Sequence, residues 1–352
     1  MRALALALVV ALASGCLYVR YVAQGAAGQL DLLGRARPIE DVIKDPDTPL
    51  RVAVELAEIP AIKQYGRSYG LSIKKNYTKF VWLPEDRRAA TVWFVGAADP
   101  LQFKPVPWCF PIAGCFPGLG WFDEDEAVHF KQQLDAKGLD AVVRPASAYS
   151  TGGWFQDPVT SSMLGGGDDA LPYLANTILH ESVHATVFIA DEQFFNESLA
   201  EYIADALTDH WIQIRFGPGS PEDVAWTLGQ ALSLPRTARI LATYHQLAKL
   251  YETSLPRDQK LAKKAQIIDE LVADLHLRKR PNNATLNEAK LYNGGADALR
   301  AAHMHCGDIA KLIAAAKHLR REDFTKTLQD DLKPIGVRLS ALCDEQKLIH
   351  AH

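Results

Sequence analysis

Asp169-Ala-Leu-Pro-Tyr-Leu-Ala-Asn-Thr-Ile-Leu-His180-Glu181-Ser182-Val183-His184 is the stretch that decides how this chain folds. Leu171, Leu174, Ile178 and Val183 keep an apolar stripe at helical spacing, and Pro172 suits the first turn of a helix. Two histidines four apart on a helix lie on one face, so both imidazoles can reach a single ion. Glu181 sits one residue along, close enough to take a proton from water without being a ligand. Leu179, Val187 and Phe188 flank the motif with apolar groups, which predicts a buried helix. Buried imidazoles and a buried carboxylate need partners, and a shared cation is the simplest one. A zinc ion held by neutral imidazoles and a carboxylate lowers the pKa of its water to about 7.

Downstream, Phe195-Asn196-Glu197-Ser198-Leu199-Ala200-Glu201 supplies two carboxylates one helical turn apart. Asn196 reads as the cap of a helix carrying Leu199, Ile203, Leu207 and Trp211 and ended by Gly217-Pro218. Glu197 is read as the third ligand and Glu201 as the acceptor for the His180 N–H, with the exchanged assignment open. Asp205, a further turn along, reads as structural. Thr237 to Tyr251 and Arg257 to Lys279 then read as an antiparallel helix pair joined through Ser254-Leu255-Pro256.

Upstream the pattern changes. Gly25 to Gly70 reads as short helices broken by Pro38, by Asp45-Pro46-Asp47-Thr48-Pro49 and by Pro60. Tyr77 to Leu83, Thr91 to Gly96 and Leu139 to Arg144 are rich in β-branched and aromatic residues and predict one small sheet. Asp125 to Lys137 reads as an amphipathic helix stopped by Gly138. The expected fold is α+β and mainly α. A small N-terminal α/β lobe (28–168) would sit on a larger helical lobe (169–352), the two forming one catalytic unit.

The 352 residues, 48% hydrophobic and 23% charged, allow a sizeable core, and a net charge of -4 gives a nucleic-acid partner no support. Met1-Arg2 is followed by an unbroken apolar run from Ala3 to Ala13 and then by Ala-Ser-Gly-Cys at 13 to 16. That run is short for a membrane span, and with Cys16 after Gly15 it resembles a bacterial lipoprotein signal over 1–15. Cys16 would then be the lipidated first residue, with a linker over 16–27. Leu17 in place of an aspartate points to the outer membrane and a periplasm-facing body. A plain N-terminal anchor is the alternative. The remaining Cys109, Cys115, Cys306 and Cys343 permit three pairings in an oxidising compartment. The close pair can shut a short loop, which favours 109–115 with 306–343 over free buried thiols.

The resemblance to a known family extends well beyond the metal motif. Trp108-Cys109-Phe110-Pro111-Ile112-Ala113-Gly114-Cys115 and Ala148-Tyr149-Ser150-Thr151-Gly152-Gly153-Trp154-Phe155-Gln156-Asp157-Pro158 are similar to segments of the bacterial putative aminopeptidase family, lipoprotein-like gluzincin metallopeptidases. His180-Glu181 through His184, Phe195 to Ser198, Leu250-Tyr251, Asn282-Asn283-Ala284 and Tyr292 extend the likeness, which covers about Gly28 to Tyr292. It implies a zincin-like zinc peptidase with one Zn2+ per chain on His180, His184 and Glu197, Glu181 as general base and Glu201 behind the ligands. Phe116 to Phe122 and Gly152 depart from the family pattern, which bears on substrate preference rather than on the metal.

Peptide hydrolysis also needs a donor for the tetrahedral oxyanion, for which Tyr149 and Tyr292 are the candidates. Asn282 and Asn283 are candidates to hold a peptide backbone, Trp154 to line the pocket and Asp157 to anchor a substrate's α-amino group. All but Asp157 also have a plain structural reading as a cap or core residue. His303-Met304-His305-Cys306 looks metal-like but lacks a partner set and reads as incidental. The expected activity is therefore that of an aminopeptidase. Endopeptidase action, or a non-catalytic envelope scaffold holding zinc, are the alternatives.

Overall fold

The computed structural model describes residues 17–73, 76–84, 90–110, 114–146 and 156–349. Cys16 and the segment before it, Tyr149 and Trp154 lie outside the described residues. The described residues begin with α1 (Leu17–Arg35), where a linker was expected, followed by β1 (Arg37–Pro38), α2 (Ile39–Lys44) and α3 (Leu50–Ser68). Helix α1 is clamped on one face. The Gln24 carboxamide donates to Gly120 O at 3.1 Å and accepts from Phe122 N at 3.1 Å, and Gly28 sits so close to the Phe122 ring that a Cβ would lie 2.2 Å from it. Pro60 does not break α3 as expected. It lies on the exposed side of the helix, where its ring displaces no core side chain. Leu56, Ile59 and Ile62 keep the other side in the core.

Next come β2 (Lys79–Val81), β3 (Val92–Ala98), β4 (Trp108–Phe110), β5 (Gly114–Phe116), β6 (Gly118–Trp121), α4 (Glu124–Ala136), β7 (Asp140–Ala146) and β8 (Val159–Thr160). The three expected strands do form, but in two sheets rather than one. Strand β3 is flanked by β6 and β7, both antiparallel, with Val95 opposite Leu119 and Val143. Strand β2 pairs instead with β1 and β8. Composition marks a strand without naming its partner, and here both edges of β3 are already taken. Strand β6, Gly-Leu-Gly-Trp, has weak strand propensity. It forms because Gly118 leaves room for the Phe94 ring, which a Cβ would meet at 2.0 Å. Helix α4, capped by the Asp123 carboxylate and followed by Gly138 at φ 76, covers one face through Ala127, Phe130 and Leu134.

The helical part runs α5 (Ala170–His184), α6 (Gln193–Arg215), α7 (Pro221–Glu252), α8 (Arg257–Asp274), α9 (Asn283–Asn293), α10 (Ala296–Cys306), α11 (Ile309–Ala316) and α12 (Lys333–Ile349). Helices α5 and α6 lie at the centre of the main core, where Leu174, Ile178, Leu179 and Val183 meet Leu199, Ile203, Leu207 and Trp211. Asn196 is not the cap of α6, which starts three residues earlier. Its buried carboxamide donates to Ile189 O at 2.8 Å and accepts from Ile189 N at 2.9 Å, closing the turn out of α5. The expected antiparallel pair is α7 and α8, with α7 beginning at Pro221 behind the Ser220 cap. Disulfides join Cys109 to Cys115 and Cys306 to Cys343, the favoured pairing. The fold is α+β and mainly α.

Candidate metal centre

Because α5 and α6 pack along their apolar stripes, the next face of each helix brings its polar side chains to one partly exposed spot. His180 Nε2 and His184 Nε2 lie 3.2 Å apart, and Glu197 Oε2 is 3.4 Å from the first and 3.6 Å from the second. Donors about 2.0–2.1 Å from a tetrahedral zinc ion are separated by roughly 3.3 Å, 1.63 times the bond length. The three separations fit that triangle. Among the described residues this is the cluster of three side chains able to hold a metal ion.

The surroundings fit a cation as well. Glu201 Oε2 stands 3.4 Å from His180 Nδ1, which fixes the ring so that Nε2 faces Glu197. Burial would hold His180 neutral, but contacts with Glu197 and Glu201 outweigh it and raise the imidazole pKa well above its usual value. Burial would likewise raise Glu197, yet His184 and His180 hold its carboxyl far below the usual range. Asp205 is pushed up to about 7 by burial and then by the charge of Glu201, and its carboxylate accepts from Asn176 Nδ2 at 2.9 Å. Four carboxylates, from Glu181, Glu197, Glu201 and Asp205, thus crowd two imidazoles. Glu181 Oε2 and His184 Nδ1 are buried with no hydrogen-bond partner among the described residues. An unpaired buried carboxylate oxygen is costly unless it works on something the site binds.

The model of the family described as "Putative aminopeptidase" matches residues 20–329. The chain belongs to that family. No curated protein and no solved structure matches it. Membership supports peptidase function and implies a peptide substrate.

Other candidates divide around this aminopeptidase-family centre. Tyr292, at the end of α9, places its ring 6.3 Å from that of His180. Burial first, then the charge of Glu197, raise its phenol pKa, so the hydroxyl stays protonated. Arg144 on β7 donates from Nη2 to Tyr292 Oη at 3.2 Å, and its Nε lies 3.1 Å from Glu288 Oε1. Arg144 and Glu288 escaped the sequence reading. The available signal was an arginine inside the apolar strand Ala-Val-Val-Arg-Pro. Tyr77 was missed too, and nothing in the sequence marks it. Its backbone is left-handed at φ 58, and burial, then the charges of Glu181 and Asp157, push its hydroxyl pKa well up.

Three substrate candidates sit within the fold with partners of their own. Asn282 caps α9, accepting from Thr285 N at 3.1 Å, and its Nδ2 donates to Ala141 O at 2.9 Å. Asn283 is fully buried and bonds Asp99 O and Tyr251 Oη at 2.8 Å each, tying α9 and α7 to the loop after β3. Both carboxamides are engaged in the fold, so neither is free for a peptide. Asp157 is 2% exposed and backs Tyr77, out of reach of an α-amino group arriving from solvent. His303 and His305 bond Tyr202 and Asp344 separately, and Cys306 is in a disulfide, which agrees with an incidental His-x-His.

Proposed function

We propose that this family member is a zinc-dependent aminopeptidase of the gluzincin type, anchored through a lipid on Cys16 to the outer membrane and facing the periplasm. The observation that carries the zinc reading is the triangle of His180, His184 and Glu197 with the unpartnered Glu181 oxygen beside it. Zinc at that triangle would supply a Lewis acid and a water of lowered pKa.

The chain's own residues do the rest. Glu181, with a free buried oxygen, accepts a proton from the attacking water and returns it to the leaving amine. Glu201 holds the His180 ring in its working orientation. Tyr292 donates its hydroxyl to the carbonyl oxygen as charge develops there. Arginine only donates, so Arg144 occupies a lone pair of Tyr292 Oη and leaves the phenolic proton to point into the cleft. Endopeptidase action is the second reading. It draws support from Asp157, the expected amine anchor, being closed to solvent.

The test joins metal and chemistry. Elemental mass spectrometry on the purified chain should find one zinc, and a mixed peptide library should be cleaved by the parent. Glu181→Gln should keep the metal and lose about 10²–10⁴-fold in kcat. Loss of cleavage on blocking the peptide's N-terminus marks aminopeptidase action, while continued cleavage marks the endopeptidase. Zinc without cleavage by either protein would leave a scaffold. Absence of any metal would sink the site assignment.

A further inference from the structure

Helix α1 has two apolar faces, and among the described residues only one is covered. The inner face is held to β6 through Gln24 and Gly28, and Leu32 is buried at its far end. On the outer face Tyr18, Val19, Val22, Ala23, Ala26 and Leu30 recur at helical spacing, with Val22 56% and Leu30 68% exposed. No charged residue interrupts that stripe. Arg20 flanks it and is paired with Glu126. The hairpin of β4 and β5, closed by Cys109–Cys115, extends the patch, with Phe110 set edge-on to Tyr18 at a centroid distance of 5.4 Å. The clamp on the inner face keeps the helix from rolling these side chains inward.

A contiguous exposed apolar patch on a folded chain calls for an occupant. We infer that this face of α1, with Phe110, lies in the headgroup region of a lipid bilayer, holding the body of the protein in a fixed orientation on the membrane.

The chain that enters α1 names the occupant. Ala3 to Ala13 carries no charge or polar side chain. Whether that run stays as an anchor or is removed ahead of a lipidated Cys16, the helix starts next to the acyl layer. Tyr18 is two residues beyond Cys16, a reach of about 7 Å at most. An interfacial helix sinks roughly 5–10 Å, a depth comparable to that reach. No helix among the described residues is long and apolar enough to cross a membrane, so α1 would lie along the surface. No residue of the zinc site takes part, so this docking stands or falls separately from the peptidase reading.

Spin labels on the full chain test it. Val22→Cys and, as reference, Met304→Cys (77% exposed on α10) are labelled without reductant, and the unsubstituted chain reports any label at Cys16. Each is reconstituted into phosphatidylethanolamine–phosphatidylglycerol vesicles, and collision rates with oxygen and with a water-soluble nickel complex are measured. The expected result is an oxygen-to-nickel ratio several-fold higher at 22 than at 304, because oxygen concentrates in the lipid phase. Val19→Cys repeats the measurement one position away and guards against local damage. Equal ratios at 22 and 304 would mean that the face stays in water. Shielding of 22 from both reagents would mean that protein covers it, either the N-terminal run or a second copy. Either result overturns membrane docking.

Discussion

Two regions wall the same site and reach it by different physics. The hairpin of α5 and α6 presents His180, Glu181, His184, Glu197 and Glu201 from two helices adjacent in sequence, and helical periodicity alone puts each set on one face. The opposite wall joins the end of α9 to strand β7, distant in sequence, and its chemistry depends on Arg144 meeting Tyr292 and Glu288. Even within α9 the roles split: Asn282 and Asn283 hold the fold at its start, and Tyr292 lies beside His180 at its end. Spacing therefore marks groups that act together from one helix, while groups that meet through packing leave only weak local marks.

The sharpest way to break this contrast is at the far wall. Tyr292→Phe should lower kcat by about 10²–10³-fold with little change in KM, the loss expected of one oxyanion donor. Steady-state kinetics on a peptide substrate check it, with Arg144→Gln and the double variant completing the cycle. If Arg144 acts through the Tyr292 hydroxyl, the double variant loses little more than Tyr292→Phe alone. Additive losses would separate the two.

On the helical wall, Glu201→Gln should lower zinc affinity or activity by about 10–100-fold, since it leaves His180, His184 and Glu197 in place and loosens the His180 ring. Competition with a chelator measures it. An effect as large as that of Glu197→Ala would exchange the two glutamates' roles.

The smallest effect belongs to the start of α9. Asn283→Ala should cost about 1–3 kcal/mol of stability, because it leaves the buried Asp99 carbonyl and Tyr251 hydroxyl without a partner. Denaturant unfolding would show that loss, while kcat/KM of the folded fraction stays at the parent value. A selective rise in KM would return Asn283 to the substrate.

Legibility followed the range of the interactions. The helices α4, α5 and α6, the stop at Gly138, both disulfides and the grouping of His180, His184 and Glu197 could all be read, since each rests on local periodicity or on pairing among few partners. The continuation of α3 through Pro60 could not, because packing of Leu56, Ile59 and Ile62 outweighs one lost hydrogen bond. The split of the strands into two sheets and the formation of β6 from Gly-Leu-Gly-Trp were equally hidden. Partner choice is settled by which edges are free and by which glycine admits the Phe94 ring.

The amino-acid sequence by itself determined a helix with two histidines and a glutamate on one side, two further glutamates a turn apart, and an apolar run at the N-terminus. Covalent spacing and the 3.6-residue turn suffice for those. Only the tertiary structure decided that Asn196 closes a turn, that Asp157 is sealed behind Tyr77, that Arg144 reaches Tyr292, and that α1 keeps an apolar face outside. Each depends on which distant surfaces exclude water from one another, and long-range burial of that kind is not encoded in the spacing of neighbours.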